Sequence, residues 1–189
     1  MGMRAIIARM KKHEIILAAL IAQFVFLSPA SLAQETIPNI AVGRLPDGLY
    51  RVMRLSNDEK GVGVLSSGER LLINDFHFLE PAERQEKEFV VLQTEPFIPF
   101  MLAESPTKDK DSAGKPKLYL QLDEAQIKPL EGFTRQNTGQ KVAIVIGGEI
   151  VTVHKVREAI TGGKIQITRC TDNGCQAIYT EIAKKQGAK

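Results

Sequence analysis

Two cysteines near the carboxyl end are the side chains in this sequence whose type and spacing most suggest chemistry. Cys170 and Cys175 are separated by four residues. Such a pair can form a disulfide, bind a metal or act as a redox couple. The spacing differs from the Cys-x-x-Cys redox motif, and no second Cys/His pair completes a zinc site. An even cysteine pair predicts a structural disulfide if the chain reaches an oxidising compartment outside the cytoplasm.

The segment Gly162-Gly163-Lys164 resembles the end of a phosphate-binding loop. Such a loop would need a glycine where Glu158 stands and Ser or Thr where Ile165 stands, and it would open a helix. The residues after the two glycines are predicted as a strand instead. We therefore assign Gly162 and Gly163 a backbone role, as a sharp turn into that strand.

Other polar residues give no catalytic pattern. His77 and His154 lack the spacing of metal ligands, and residues 109–112 lack the alternating ligands and final Glu of an EF-hand. A run of acidic side chains is predicted to be a solvated surface: Glu80, Glu83, Glu86 and Glu88. The sequence thus predicts no catalytic residue, no cofactor and no metal site.

The first 33 residues have the composition of a targeting segment. Basic residues precede an apolar run of 13 residues from Ile15 to Leu27, and small residues follow at Ser31 and Ala33. This is typical of a cleaved signal peptide, and the run is shorter than the roughly 20 residues of a membrane span. An uncleaved N-terminal anchor is the alternative. Both place the rest of the chain, which begins with a leader at 34–46, in the periplasm or another extracytoplasmic compartment.

Net charge excludes one class of partner. The chain has 25 basic and 22 acidic side chains, and four of the basic and one of the acidic ones lie in residues 1–33. The remainder has 21 of each. A nucleic-acid-binding domain would carry a basic excess, so we expect no nucleic-acid partner. No second apolar run after residue 33 is long enough to span a membrane.

Residues 47–95 are predicted to form a small β-rich region. Residues 49–55 alternate loosely between apolar and polar side chains, as a strand does. The apolar runs 62–65 and 71–73 flank a Gly-containing turn, which predicts a hairpin. Residues 88–92 are a further strand candidate.

The rest of the chain, 96–189, begins with irregular elements. Residues 97–102 are apolar, but Pro99 restricts them to an edge strand or a bulge. Residues 105–115 are polar and rich in turn formers, which predicts a mobile loop. Residues 117–122 alternate with leucines on one face, as in a strand with one buried side.

The elements that follow predict the fold class. The main helix is expected to start near Lys128, either directly or after a short turn over residues 123–126, because proline at the next position suits a first turn. Residues 141–153 form the clearest hairpin, with Gly147-Gly148 as its two-residue turn and a first strand that is apolar on both faces. A strand at 164–168 and a helix at 173–185 complete an α+β fold, with two helices on one face of a mostly antiparallel sheet.

The segment from Lys117 to Ala183 resembles the head subdomain of the large periplasmic domain of the protein-export subunit SecD. The resemblance includes an Asn-x-Gly segment, a Lys-x-Ala-Ile-Val strand, a tight hairpin and an Ile-x-Gly-Gly turn. These motifs stand here at Asn137, Gly139, Lys141, Ala143, Ile144, Val145, Ile160, Gly162, Gly163 and Ile167. The resemblance implies the fold and a connection with protein export, but residues 47–95 and the cysteine pair have no counterpart in it.

These observations lead to two hypotheses about function. The first is an envelope protein that binds polypeptide, by strand addition to a sheet edge or in an apolar groove beside it, with translocon components or exported chains as partners. The second is a structural subunit of an envelope complex with no substrate of its own, suggested by residues 47–95. An enzyme is not expected.

Overall fold

The computed structural model describes residues 44–168 and 170–186. The predicted signal peptide and most of the leader lie outside these residues. No helix in the described part is both long and apolar enough to cross a membrane. The elements in chain order are β1 (Gly48–Ser56), a 3-10 turn (Glu59–Val62), β2 (Glu69–Asn74), a 3-10 turn (Pro81–Glu83), β3 (Glu88–Gln93), β4 (Ile98–Pro99), β5 (Thr107–Lys110), β6 (Pro116–Gln121), α1 (Glu124–Gln136), β7 (Lys141–Ile146), β8 (Glu149–Lys155), β9 (Lys164–Thr168) and α2 (Asp172–Gln186).

Strand β1 joins the two predicted regions in one antiparallel sheet. The sheet has the order β2-β3-β1-β7-β8, with β4 beside β1. The first half of β1 pairs with β7, where Gly48 lies opposite Val145, and its second half pairs with β3, where Ser56 lies opposite Phe89. Residues 47–95 therefore share a sheet with residues from 96–189.

This first sheet curls around a core of its own. Its edge strands β2 and β8 approach each other without a described backbone pairing. The enclosed side chains include Tyr50, which is fully buried, donates its hydroxyl to the Pro46 carbonyl at 2.7 Å and stacks on Phe97 with ring centroids 4.7 Å apart. Burial raises the pKa of Tyr50, and the carboxylates of Glu95 and Asp47 add to that effect.

A second sheet and both helices form the main core. The sheet has the order β5-β6-β9 and is antiparallel throughout. Its leucines and isoleucines meet Leu130 and Phe133 of α1, together with Ile178 and Ile182 of α2. Two helices against mostly antiparallel sheets confirm the predicted α+β class.

Strand β7 lies between the two cores. Ala143 and Val145 belong to the core enclosed by the first sheet, whereas Val142, Ile144 and Ile146 belong to the main core. All five side chains are buried. The predicted interior strand, apolar on both faces, is confirmed.

The hairpin predicted from 62–65 and 71–73 is wrong. Residues 59–62 form a 3-10 turn, and β2 pairs with β3 instead. Val62 packs with Phe89 and Val91 in a small buried cluster on the outer face of the sheet. A short apolar run in the sequence does not distinguish a strand from a buried turn of this kind, because both bury apolar side chains.

The mobile loop predicted at 105–115 is also wrong in part. Residues 107–110 form β5, which pairs with β6 so that Thr107 lies opposite Tyr119. The Asp111 carboxylate closes the following turn by accepting the N–H groups of Ala113 and Lys115, both at 2.8 Å. The residues of this turn have the composition expected of a loop. Strand β5 before it was not predicted, because it is exposed on both faces and contains no apolar residue.

Two boundaries differ from the sequence prediction. Helix α1 begins at Glu124 and not near Lys128, because the Asp123 side chain accepts the N–H of Gln126 at 3.1 Å and caps the first turn. Pro129 therefore lies inside the helix. The edge strand expected at 97–102 is reduced to β4 and one bridge between Leu102 and Leu122.

Candidate functional site

The predicted disulfide between Cys170 and Cys175 is present, with Cα atoms 5.3 Å apart. Both cysteines are buried. Thr171, between them, donates its N–H to the Phe78 carbonyl and accepts the Cys175 N–H at its own carbonyl, both at 2.8 Å. The bridge thus holds the first turn of α2 against the connection between β2 and β3.

The four glycines named from the sequence all have positive φ. Gly147 and Gly148 (φ 66° and 83°) form the β7–β8 turn, and Gly162 and Gly163 (φ 72° and 73°) precede β9. Gly163 is also enclosed, since a Cβ there would lie 2.9 Å from Cγ1 of Ile127. The Gly163 carbonyl accepts the N–H of Leu122 at 2.9 Å, so this turn sets the register of β9 against β6.

A cleft of about 690 Å³ lies beside the start of α2, and His77 is on its wall. The His77 ring lies 2.5 Å from an Asp75 carboxylate oxygen and 3.5 Å from one of Glu149. Burial tends to raise the pKa of Asp75, but hydrogen bonds from the His77 ring and N–H outweigh it, so that this pKa lies below its ordinary value. The histidine thus links the β2–β3 connection to the β7–β8 hairpin.

The remaining polar candidates are dispersed. His154 is exposed at the end of β8, with its ring 2.9 Å from the Thr152 hydroxyl. Glu83 forms an ion pair with Lys115 at 2.6 Å. Within residues 44–168 and 170–186, no three His, Cys, Asp or Glu side chains come together as a possible metal site.

A smaller, mainly apolar cleft lies between the two sheets, and we call it the β9 groove. Its volume is about 250 Å³, and its apolar lining includes Val142, Ile144, Ile160 and Ile165. The lining also includes polar side chains, namely His154, Lys155, Arg157, Glu158 and Gln166. An adjoining cleft of about 220 Å³ shares His154 and reaches Lys141 and Thr168. Together they follow β9 along most of its length.

Strand β9 presents an open edge to this groove. It pairs with β6 on one side, and no described strand pairs with its other side. Gly163 and Leu122 form a hydrogen-bonded pair, so in an antiparallel ladder the N–H and C=O groups of alternate residues point away from β6. Those outward groups belong to Lys164, Gln166 and Thr168. The edge is therefore a template for one more strand.

Residues that carry the resemblance build the wall of the groove. The Asn137 side chain donates to the Phe133 carbonyl at 2.8 Å and ends α1, and the Gly139 N–H donates to the Val156 carbonyl at 2.8 Å. The Ile160 N–H donates to the buried Thr134 hydroxyl at 2.9 Å. These bonds hold residues 156–160 in place beside β9.

The structure brings some of the motif residues together and leaves the other candidates apart. Ile144 and Ile160 line the β9 groove, and Lys141 lies at its extension. The disulfide and His77 lie elsewhere, at the 690 Å³ cleft or its margin. No local pattern in the sequence distinguishes Lys155 or Arg157, because their proximity to β9 depends on the packing of two sheets.

Fold and site together define an α+β domain with an open sheet edge beside an apolar groove. The model of one family matches residues 79–177, and it describes the SecDF P1 head subdomain. This match covers more than half of the chain, and the chain belongs to that family.

The chain is also similar to proteins and solved structures that are named SecD or SecDF. The protein translocase subunit SecD of Acidaminococcus fermentans is 39% identical over 78 residues, 41% of this chain and 18% of the relative. SecDF of Thermus thermophilus is 34% identical over 88 residues, 44% of this chain and 12% of the relative. The chain thus spans less than a fifth of either relative.

Two solved structures of SecDF are similar to the chain at lower identity. One, described as a membrane component that enhances protein export, is 20% identical with a TM-score of 0.43, covering 74% of this chain and 61% of that one. The other, SecDF in a super-membrane-facing form, is 18% identical with a TM-score of 0.42, covering 71% and 18%.

Proposed function

We propose that this chain is an exported, periplasmic protein that binds polypeptide in an extended conformation and assists protein export. It acts as a binding protein without catalytic activity. Membership of the SecDF P1 head family and the targeting composition of residues 1–33 support this assignment. The observation that carries it is the open edge of β9 beside the β9 groove.

Binding occurs by strand addition. An extended segment placed beside β9 exchanges backbone hydrogen bonds with Lys164, Gln166 and Thr168. Its alternate side chains then face the groove and contact Val142, Ile144 and Ile160, because residues in a strand alternate between faces. Backbone bonds make the interaction tolerant of sequence, as binding many exported chains requires.

The other edges of the two sheets are less suited to this role. The open edges of β2 and β8 face each other across the curled sheet. Strand β5 is exposed on both faces and offers no apolar side chains. Strand β4 is two residues long and contains Pro99, which lacks the N–H that pairing needs. Only β9, among the strands described, combines an open edge with an apolar groove.

A matched pair of variants tests strand addition. Gln166→Pro removes an outward N–H of β9 without removing a bond to β6, whereas Gln166→Thr keeps that N–H. We expect Q166P to lose binding of an extended model peptide with alternating apolar residues, and Q166T to retain it, in fluorescence anisotropy on the full chain. Circular dichroism checks that both variants are folded.

Hydrogen exchange supplies a second readout of the same site. Peptide binding should slow amide exchange at Lys164, Gln166 and Thr168 in the wild-type protein, because these outward N–H groups gain acceptors. Equal peptide affinity of Q166P and Q166T, or unchanged exchange at these three amides under saturating peptide, would exclude this mode of binding.

Partners in export follow from the same proposal. We expect translocon components or exported polypeptides to be recovered with the protein from an envelope extract, and Q166P to recover less of the polypeptide fraction. Cell fractionation tests the periplasmic location. Recovery of the bulk of the protein in the cytoplasmic fraction would contradict it.

A second candidate function is that of a structural subunit in an envelope complex. Residues 48–78 lie outside the family match, and they carry three exposed large apolar side chains, of which Val64 at 89% and Ile73 at 53% are the most exposed. A stoichiometric protein partner that is retained in high salt and lost in a Val64→Asp/Ile73→Asp variant would favour this function over polypeptide binding.

A further inference from the structure

The β9 groove has a basic rim. Lys155 and Arg157 line the groove, Lys141 lies at its extension and Lys164 begins the adjacent strand. All four side chains are exposed, and none forms an ion pair with any residue that the structure describes. Two acidic residues lie in the same clefts as these basic ones, Glu158 in the 250 Å³ groove and Glu88 in its extension.

This concentration of charge is local. The chain beyond residue 33 has equal numbers of basic and acidic side chains, and the wall of the 690 Å³ cleft carries both signs. Some basic side chains elsewhere are neutralised, as in the bidentate pair between Arg54 and Glu69. The rim of the β9 groove is thus a locally basic surface on a domain that is neutral as a whole.

Two of the rim residues oppose each other. Lys141 and Lys155 are cross-strand partners in the β7–β8 ladder. Like charges directly opposite in an antiparallel pair are destabilising. An anionic partner bound between β8 and β9 would relieve this repulsion, so the arrangement favours acidic ligands.

Strand addition would place the apolar and the acidic side chains of a bound segment at different positions. Side chains of the added strand that face inward contact the apolar floor, and those that alternate with them face the same side as Lys164 and Gln166. Residues of the added strand near Gln166 approach Arg157 in the groove, and residues near Thr168 approach Lys141 in its extension. Acidic side chains are favoured at both kinds of position.

We propose that the β9 groove selects extended polypeptide segments in which acidic residues alternate with, or flank, apolar ones. This selectivity rests on the proposed binding function and narrows it. Apolar contacts and backbone bonds provide binding, and the basic rim discriminates between segments by charge. Segments rich in lysine or arginine are the ones that it disfavours.

Three labelled peptides of equal length test the selectivity on the full chain. Each has valine at alternate positions, and the intervening residues are aspartate, threonine or lysine. We expect the aspartate peptide to bind roughly tenfold more tightly than the threonine peptide at low salt, since several exposed pairs each contribute modestly. The lysine peptide should bind most weakly. Half-molar salt should remove most of these differences.

Variants of the rim locate the effect. Lys155→Glu/Arg157→Glu should abolish or reverse the preference for aspartate while leaving the threonine peptide bound. Lys110→Glu makes a matched control, because Lys110 is exposed on β5, beyond β6 from the groove. The control should keep the wild-type preference.

The outcomes separate the two proposals. If the threonine peptide binds as tightly as the aspartate peptide, or if the rim variant keeps the preference, the selectivity is wrong and polypeptide binding stands. If none of the three peptides binds or protects the β9 amides, polypeptide binding at this site is wrong as well.

Discussion

Lys141 and Lys155 lie directly opposite each other at the open end of the β7–β8 hairpin. Both side chains are exposed, and neither has an acidic partner among the residues described. The pair lowers the stability of the hairpin, because like charges that face each other across a ladder repel. The same pair adds to the positive potential beside β9. The two lysines therefore lower the stability of the hairpin but favour the binding of an acidic ligand.

Lys155→Glu should therefore change stability and binding in opposite directions. It replaces a repulsive cross-strand pair with an attractive one, which raises the free energy of unfolding by about 0.5 kcal/mol. It also removes a basic group from the groove, which weakens binding of the aspartate peptide. Urea unfolding and fluorescence anisotropy measure the two effects.

A neutral variant provides the control for this prediction. Lys155→Gln removes the repulsion without creating attraction, so both of its effects should be smaller than those of K155E. A K155E protein that is less stable than the wild type would contradict the argument from repulsion. Unchanged affinity for the aspartate peptide would contradict the role of Lys155 in recognition.

The ion pair between Arg54 and Glu69 makes stability depend on pH. Arg54 donates to both carboxylate oxygens of Glu69, at 3.0 and 2.8 Å, and the Ser66 N–H donates to one of them at 2.8 Å. The bond from Arg54, followed by that from Ser66, holds the pKa of Glu69 below its ordinary value of 4.5. The folded state thus favours the ionised carboxylate.

Glu69→Gln should destabilise the protein near pH 7 and have less effect in acid. A carboxyl whose pKa is lowered on folding stabilises the fold fully above its unfolded pKa. That stabilisation is lost as the pH falls through the lower, folded value. The difference in unfolding free energy between wild type and E69Q, measured in urea, should shrink between pH 7 and pH 3.

Asp75, whose pKa is also lowered, is present in both proteins, so its titration cancels in the difference. An equal loss of stability in E69Q at both pH values would mean that the carboxylate charge contributes nothing. Its hydrogen bonds alone would then account for the effect.

The sequence predicted correctly those strands in which buried and exposed side chains follow a regular pattern along the chain. The two-faced strand β7, the alternating strand β9 and the disulfide required only the residue sequence and the export signal. Strand β5 is not predicted by the sequence because its four residues are exposed. The apolar run at Val62 resembles a strand, but Val62 is buried in a turn by its contacts with β3. Only the second error concerns segments distant in sequence, since β5 pairs with the adjacent strand β6 and lacks only an apolar pattern.

The groove was predictable only in part. The sequence suggested polypeptide binding at a sheet edge without specifying which, and its edge-strand candidate at 97–102 is in the structure the short β4 paired with β1. That β9 is the open edge depends on the strand order of the second sheet, which no local pattern contains. The basic rim combines residues from β7, β8, β9 and the connection before β9, so it required the tertiary structure.

The two glycines before β9 allow a controlled test of a close contact. Both have positive φ, so alanine at either position adopts a strained backbone that costs about 1–2 kcal/mol. A Cβ at Gly162 meets nothing within 4 Å, whereas one at Gly163 lies 2.9 Å from the Ile127 side chain. We therefore expect Gly163→Ala to lower the free energy of unfolding more than Gly162→Ala does. Equal losses would show that Ile127 yields without cost.

The disulfide is expected to stabilise the fold without taking part in binding. Closing a ring of this size contributes about 2 kcal/mol on the chain-entropy model. Replacing both cysteines, as Cys170→Ala/Cys175→Ala, should lower Tm by several degrees in a domain of this length. Alanine suits this test better than serine, because both positions are buried and a serine hydroxyl there would need a partner.

The loss should be localised at the start of α2. The bridge holds Thr171 where its N–H bonds the Phe78 carbonyl, so amide exchange at Thr171 and Cys175 should accelerate more than exchange in β7. Peptide binding below Tm should persist, because neither cysteine lines the β9 groove. Two free thiols in mass spectrometry of the exported protein would refute the bridge. Loss of peptide binding in a fully folded double variant would instead assign the cysteines a functional role.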